Sequence, residues 1–285
     1  LPVFETLIKN QDAISVYAKN ESGIFGWCKP RIVKPLNELS HIDLSKIKLI
    51  YVAVPVHEAK YVSKFLKKNI PENIKIIWDT PISNNVFYAL DILKKFKIYV
   101  AEDSSYLPWL KLLENLKGKN LNQILIDRGG YKYHATAIAR EIYKKINKTD
   151  HLQKKGISKS KNKLSYKIND KTKVLIKSPR SYDEGSIKLY FDDNSEIILG
   201  GNGRESNIQV IRNKKGHCSG FSFGQNIHNL SKIETELIGV ANFKDDIVTM
   251  MLRIKRVGLR RLILDVFKNN SKLEITEANL DSRLF

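Results

Sequence analysis

The sequence predicts an α/β protein in two parts: a parallel-sheet domain over residues 1–118, then an α+β domain over 119–285 with a large, mainly antiparallel open sheet. Three observations carry this. Two short β-branched runs, Leu49 to Val54 and Ile74 to Trp78, are too short for helices and too continuously apolar for half-exposed strands. The stretch between them, His57 to Lys68, sets Ala59, Val62, Phe65 and Leu66 at helical spacing with Lys60, Lys64, Lys67 and Lys68 opposite, which completes a βαβ unit. From Lys173 onward the period becomes that of strands, with turns at Asp192-Asp193-Asn194 and Asn213-Lys214-Lys215-Gly216.

The elements follow in order. Leu1 to Lys9 reads as a helix already under way, with Pro2 tolerated near its start, and Ala13 to Ala18 as a short strand. Gly23 to Asn37 is a loop carrying a short strand at Arg31 to Val33, with Trp27 as a packing anchor, and Leu39 to Ile47 is a short helix or turn. The two central strands end at Pro55 and Pro81. Ligands bind at the carboxyl ends of such strands, so these turns are the first place to look for a site. Ser83-Asn84-Asn85 caps a helix with an apolar face of Phe87, Leu90, Leu93 and Phe96, and Ile98 to Ala101 is a further buried strand. Trp109 to Leu116 is an amphipathic helix stopped by Gly118.

In the second domain Leu121 to Asp127 is a strand and Ala135 to Ile146 a helix, while His151 to Leu164 is polar, basic and without period, which predicts a loop. The strands Lys173 to Lys177, Ser186 to Phe191, Glu196 to Leu199, Asn207 to Arg212 and His217 to Phe223 build one antiparallel sheet. Gly200-Gly201-Asn202-Gly203 lies between strands and is a turn or bulge, not a dinucleotide loop. Lys232 to Lys255 is helical with a break at Asp245 and Asp246, and Leu259 to Phe267 is a second helix.

Composition narrows the function classes. The chain is 42% hydrophobic and 28% charged, enough for two ordinary cores. Its net charge of +19 is lysine spread along every segment, so a solvated basic surface is the favoured reading and nucleic acid is disfavoured as a partner. Cys28 and Cys218 form neither a metal spacing nor a disulfide framework, which fits a reducing cytoplasm and gives no reason to expect a metal. No apolar run reaches the ~20 residues needed to span a bilayer, and a membrane is not expected as a partner.

A strand ending in Ala53-Val54-Pro55, a helix, a strand ending in Asp79-Thr80-Pro81, then helix, strand and Tyr106-Leu107-Pro108-Trp109 resembles the Gfo/Idh/MocA family (glucose-fructose oxidoreductase and inositol dehydrogenase) in order as well as motif. The second informative motif is Arg128-Gly129-Gly130-Tyr131-Lys132-Tyr133-His134 leading into a helix, where His134 matches the family histidine; Ala278 to Arg283 is similar to the family's terminal helix motif. The resemblance implies a Rossmann-like nucleotide domain and an oxidoreductase that moves hydride between NAD(P) and a sugar or polyol-like substrate. The other reading, from a different class, is a non-catalytic relative that binds a ligand or partner.

The match departs from the family in three places. The family's Glu-Lys-Pro turn is Asp79-Thr80-Pro81 here, so the lysine that meets substrate and nicotinamide falls at Thr80. Gly130 and Ala137 occupy the places of the family's acids beside His134, and the first strand with its Gly-rich turn does not precede Leu1, so either the sequence is N-terminally truncated, the favoured expectation, or the protein lacks that backbone cradle for a pyrophosphate. The resemblance assigns cofactor contacts to Tyr17, Lys19, Val54, Pro55, Asp79 and Thr80, and substrate contacts to Glu102 and Asp103. Carboxylates suit polyols because each can accept from two hydroxyls. Ala18 and Lys19 stand where an NAD site normally has a carboxylate, which tilts the expectation to NADP; Lys19 is equally well one of many surface lysines. His134, Lys132 and Tyr133 are the candidate catalytic residues, since each can serve as general acid or base; His134 is equally a satisfied helix-start histidine. A homo-oligomer formed through the second-domain sheet is the implied assembly.

Overall fold

Apolar runs of strand length separated by helix-period stretches fold here as the βαβ pattern requires. The computed structural model describes residues 3, 7, 16–18, 33–35, 43, 47–149, 152–200, 206–270 and 275–284, and the account below concerns these. The expectations for Lys19, Trp27, Cys28, most of the Leu1 to Lys9 helix and most of the Leu39 to Ile47 segment lie outside the described residues. Contacts divide the chain into two units, Leu1–Glu102 with Leu262–Leu280, and Asp103–Arg261 with Asp281–Phe285. The sequence places the boundary at residue 118. Residues 103–118 instead join the second unit, because Leu107, Trp109, Leu110, Leu113 and Leu116 are buried in its core with Ile138 and Ile142.

In the first unit β1 (Val16–Ala18) and β2 (Val33–Pro35) pair in parallel. β3 (Leu49–Val52), β4 (Lys75–Trp78) and β5 (Lys97–Val100) form a three-stranded parallel sheet in that order, with Val52 beside Trp78 and Trp78 beside Val100. β4 lies in the middle and is buried; β3 and β5, outermost in this sheet, are largely half-buried where continuous burial was expected. A 3-10 turn, Val56–Glu58, leads into α1 (Ala59–Asn69), which buries Ala59, Val62 and Leu66. α2 (Asn84–Asp91) starts as expected at Ser83, whose Oγ accepts from the Val86 N–H at 3.4 Å. Ile76, Trp78, Leu66, Leu90, Leu93 and Ala278 share one core. Asn279 ties the terminal helix to this unit by donating to the Ile82 carbonyl at 2.9 Å.

The second unit starts with a 3-10 turn, Asp103–Tyr106, followed by a 3-10 helix, Pro108–Leu116, where an α-helix was expected. β6 (Leu121–Asp127) and α3 (Lys132–Asn147) follow, then β7 (Lys154–Ser160), β8 (Lys163–Ile168), β9 (Thr172–Lys177), β10 (Ser186–Phe191) and β11 (Glu196–Ile198). These strands form a six-stranded sheet in the order β11-β10-β6-β9-β8-β7. Only the β6 and β9 pairing is parallel, so the sheet is mainly antiparallel as predicted. β12 (Ile208–Arg212), β13 (Cys218–Phe223) and β14 (Asn226–Asn229) make a separate three-stranded antiparallel sheet, where one continuous sheet was expected.

Two further expectations are corrected. The segment predicted as a loop, His151 to Leu164, contains β7 and the start of β8. β7 is the outer strand of its sheet and nearly all exposed, so it carries lysines in place of an alternating apolar pattern, the usual protection of a sheet edge. The helix predicted from Lys232 to Lys255 is α4 (Lys232–Ile238), stopped by Gly239 at φ +77°; a new helix, α5 (Met251–Phe267), then absorbs the one expected at Leu259 to Phe267. The chain closes with α6 (Ile275–Ser282). No helix among the described residues is long and apolar enough to cross a membrane.

Candidate functional site

In the first unit the strand tips carry the candidate cofactor residues. Pairing continues one residue past each strand: the Asp79 N–H donates to the Val52 carbonyl and the Ala101 N–H to the Trp78 carbonyl, both at 2.8 Å. Val54 is half-buried and Pro55 exposed, and the Pro55 carbonyl accepts from the Glu58 N–H at 2.9 Å to turn the chain into α1. Asp79 and Thr80 are half-buried. Asp79 Oδ1 accepts from the Tyr51 hydroxyl of the adjoining strand at 3.0 Å and from the Thr80 N–H at 2.9 Å. The carboxylate is thus held at the end of β4, and the Thr80–Pro81 peptide bond after it is cis. Tyr17 lies in β1.

In the second unit the structure brings together two of the predicted residues and one that sequence reading missed. His134 lies in the first turn of α3, half-buried, with the ring of buried Tyr133 edge-on at 5.3 Å. Its Nδ1 is 3.0 Å from Lys255 Nζ, and Lys255 Nζ is 3.1 Å from Asp103 Oδ1. Asp103 opens the 3-10 turn Asp103–Tyr106, while Lys255 comes from α5, so three separate elements supply the cluster. The Lys255 and Asp103 side chains are only 13% and 12% exposed, which strengthens the attraction between them relative to a surface pair. Glu102, the other predicted substrate carboxylate, is fully buried and ends the first segment of the first unit.

Lys132 is committed elsewhere. Its ammonium donates to the Lys161 carbonyl at 3.0 Å and the Ser160 carbonyl at 3.4 Å, tying α3 to the turn between β7 and β8. The signal for Lys255 was faint: a cation next to apolar Ile254 and three residues before Gly258 on a helix. Gly258 lets α5 approach, since a β carbon there would stand 2.8 Å from the Asp103 carbonyl oxygen. Chemically, an imidazole backed by an ammonium and a carboxylate can hold or release a proton at its far nitrogen.

A Rossmann-like parallel unit joined to an α+β unit with a large, mainly antiparallel sheet defines the fold class, and it is the one expected from the resemblance. Solved structures with this fold are dehydrogenases of the Gfo/Idh/MocA type. A dehydrogenase (MviM) from Clostridium difficile is similar at 10% identity and TM-score 0.51, over 96% of this chain and 97% of that one. A levoglucosan dehydrogenase in complex with NADH and levoglucosan matches at 11% identity and TM-score 0.56, over 95% and 86%. A scyllo-inositol dehydrogenase from Lactobacillus casei, with NAD(H) and scyllo-inositol bound, matches at 8% identity and TM-score 0.54, over 98% and 90%. At these identities the likeness is one of fold. No protein-family profile matches the chain, and no curated protein matches its sequence.

Proposed function

We propose that this chain is an NAD(P)-dependent oxidoreductase acting on a sugar or polyol-like substrate. The observation that carries the reading is the cluster of His134, Lys255 and Asp103, an acid–base arrangement in a chain with a dehydrogenase fold. The first unit fits a dinucleotide at its strand tips: Val54 and Pro55 offer apolar surface, Thr80 a hydroxyl, and Asp79 a carboxylate already fixed by Tyr51. When bound, the nicotinamide supplies or takes the hydride. His134 moves the accompanying proton at Nε2, to a carbonyl oxygen in reduction or from a hydroxyl in oxidation. Asp103 and Glu102 are the carboxylates offered to substrate hydroxyls. NADP in place of NAD rests on Ala18 and Lys19, which stand where an NAD site normally has a carboxylate. We place the protein in the cytoplasm as a homo-oligomer built through the second-unit sheet.

Fluorescence titration with NADH and NADPH, followed by assays with levoglucosan, scyllo-inositol and the ketose L-sorbose, tests the reading; these three are ligands of the similar structures. Binding with turnover is the expected result. Failure to bind either cofactor overturns it. Thr80 at the family's lysine position favours the second reading, a non-catalytic relative, which predicts cofactor binding without turnover.

A further inference from the structure

The geometry points to Lys255 as the positioning residue that sets the His134 tautomer and returns a proton to it, a role resting on the oxidoreductase reading. An ammonium has three donors and no acceptor. The contact of 3.0 Å between Lys255 Nζ and His134 Nδ1 is therefore a hydrogen bond only when Nδ1 accepts. That places the imidazole proton on Nε2, the nitrogen on the other side of the ring. Asp103 Oδ1, 3.1 Å from Nζ, balances the lysine charge in this largely buried setting. The Gly258 approach fixes the spacing, because it lets the helix carrying Lys255 come against the Asp103 backbone one turn further on.

The resting arrangement is consequently charged for reduction. The substrate carbonyl carbon gains the hydride from reduced nicotinamide, and the carbonyl oxygen takes the proton from His134 Nε2. Nδ1 takes one from Lys255, so the imidazole ends neutral in its other tautomer and Lys255 ends as an amine beside Asp103. A solvent proton then enters at Nε2 and Nδ1 hands its proton back to the Lys255 amine, which restores both the ammonium and the starting tautomer. Ketone, NAD(P)H and one proton become alcohol and NAD(P)⁺, and oxidation runs the same steps backwards.

Long-range 1H–15N spectra of the histidine rings in the full chain, with His134 assigned through His134→Gln, read the tautomer without substrate or cofactor. The expected result is a bare Nδ1 and a protonated Nε2 in the wild type, kept in Lys255→Arg and lost to a tautomer mixture in Lys255→Met. Lys255→Met should also lower kcat for NADH-dependent L-sorbose reduction roughly 10- to 100-fold with little change in KM, and Lys255→Arg should recover part of it. A protonated Nδ1 in the wild type, or ring signals that Lys255→Met does not move, overturns the inference whether or not the protein is active. A wild type with the expected ring signals that binds no cofactor and transfers no hydride instead overturns the oxidoreductase reading, and the proton-return step with it.

Discussion

Gly258 and Asp103 meet at the backbone: a β carbon at Gly258 would lie 2.8 Å from the Asp103 carbonyl oxygen and 3.3 Å from the Asp103 β carbon. A glycine inside a helix costs about 1 kcal/mol relative to alanine, so a helix with no neighbour at this point gains from the replacement. Here the neighbour is backbone and cannot swing away. Gly258→Ala is expected to destabilise the protein by about 1 to 3 kcal/mol through overpacking, against its propensity gain. It should also disturb the His134 ring signals, because Lys255 sits one turn earlier on the same helix. Urea denaturation reads the first effect, and a more stable variant would show that α5 does not depend on this approach.

Arg140 and Asp281 form an ion pair from which water is absent on both sides, each side chain being fully buried. Arg140 Nε also donates to Glu141 Oε1 at 2.9 Å, and Lys154 at the start of β7 bonds the other Asp281 oxygen. Nearby Tyr166 is held far above the ordinary phenol value, first by burial and then by the Asp281 charge. Removing one partner strands a buried charge, so Asp281→Ala should cost about 3 to 5 kcal/mol. The double variant Arg140→Met with Asp281→Leu should recover only part of that loss, because it leaves Glu141 and Lys154 without these partners. A thermal-melt cycle over the four proteins checks this, and additive losses would contradict the pairing.

The sequence made most of the strands legible, β3, β5, β11 and β12 at sheet edges included, but not β7, β8 or β14. β4, β6, β9 and β10 have neighbours on both sides, so burial forces apolar residues on them and they read plainly as strands: Ile76, Ile77 and Trp78, or buried Ile124 and Ile126 on either side of half-buried Leu125. β7 has a partner on one side, needs no apolar face, and its lysines imitate a loop. The end of α4 was missed because a helix pattern resumes after Gly239, and the boundary at 118 because Trp109 to Leu116 looks amphipathic from either side. Of the acid–base cluster, His134 was legible through its motif and Asp103 through its place after a parallel strand. Lys255 was not, since a lysine in a lysine-rich helix carries no signal until the fold sets it against the other two.

His228 gives the second unit a dependence on pH. It lies on β14, half-buried, with Arg261 Nη2 3.2 Å from its Nε2; Arg261 Nε in turn donates to Glu234 Oε1 at 2.7 Å. Burial, then the charges of Arg261 and Lys111, hold His228 below its ordinary value, opposed by Glu234. The sign follows from linkage: below pH about 6.5 the unfolded chain takes up a proton that the fold resists, so stability falls with pH until the lower folded value is passed. Glu234 adds the same direction at lower pH. Burial raises it, but the bonds from Arg261 and the Ser231 N–H outweigh that and leave it below the usual carboxylate value, so its contribution is lost as pH falls through the folded value. His228→Gln, which keeps an acceptor for Arg261, should flatten the melting temperature between pH 7.5 and 5. An unchanged slope would place the acid sensitivity elsewhere.

Tyr51 and Asp79 supply the test that separates binding from folding at the first unit's strand tips. The Tyr51 hydroxyl donates to Asp79 Oδ1 at 3.0 Å, and the same oxygen accepts from the Thr80 N–H at 2.9 Å, so a side chain of β3 holds the carboxylate that ends β4. Tyr51→Phe deletes one partly buried hydrogen bond and should cost about 0.5 to 1.5 kcal/mol of stability. Were Asp79 only a turn residue, nothing further would change. If Asp79 is part of the cofactor site, releasing it should also weaken NADH binding several-fold, since an unfixed side chain must be ordered when the ligand arrives. Asp79→Asn separates charge from geometry, because its amide oxygen can still accept from Tyr51 and Thr80 while the negative charge is gone. Weaker NADH binding in both variants, at stabilities that leave the protein folded, would establish Asp79 as a charged ligand of the cofactor. Unchanged dissociation constants in both would move the nucleotide away from the tip of β4.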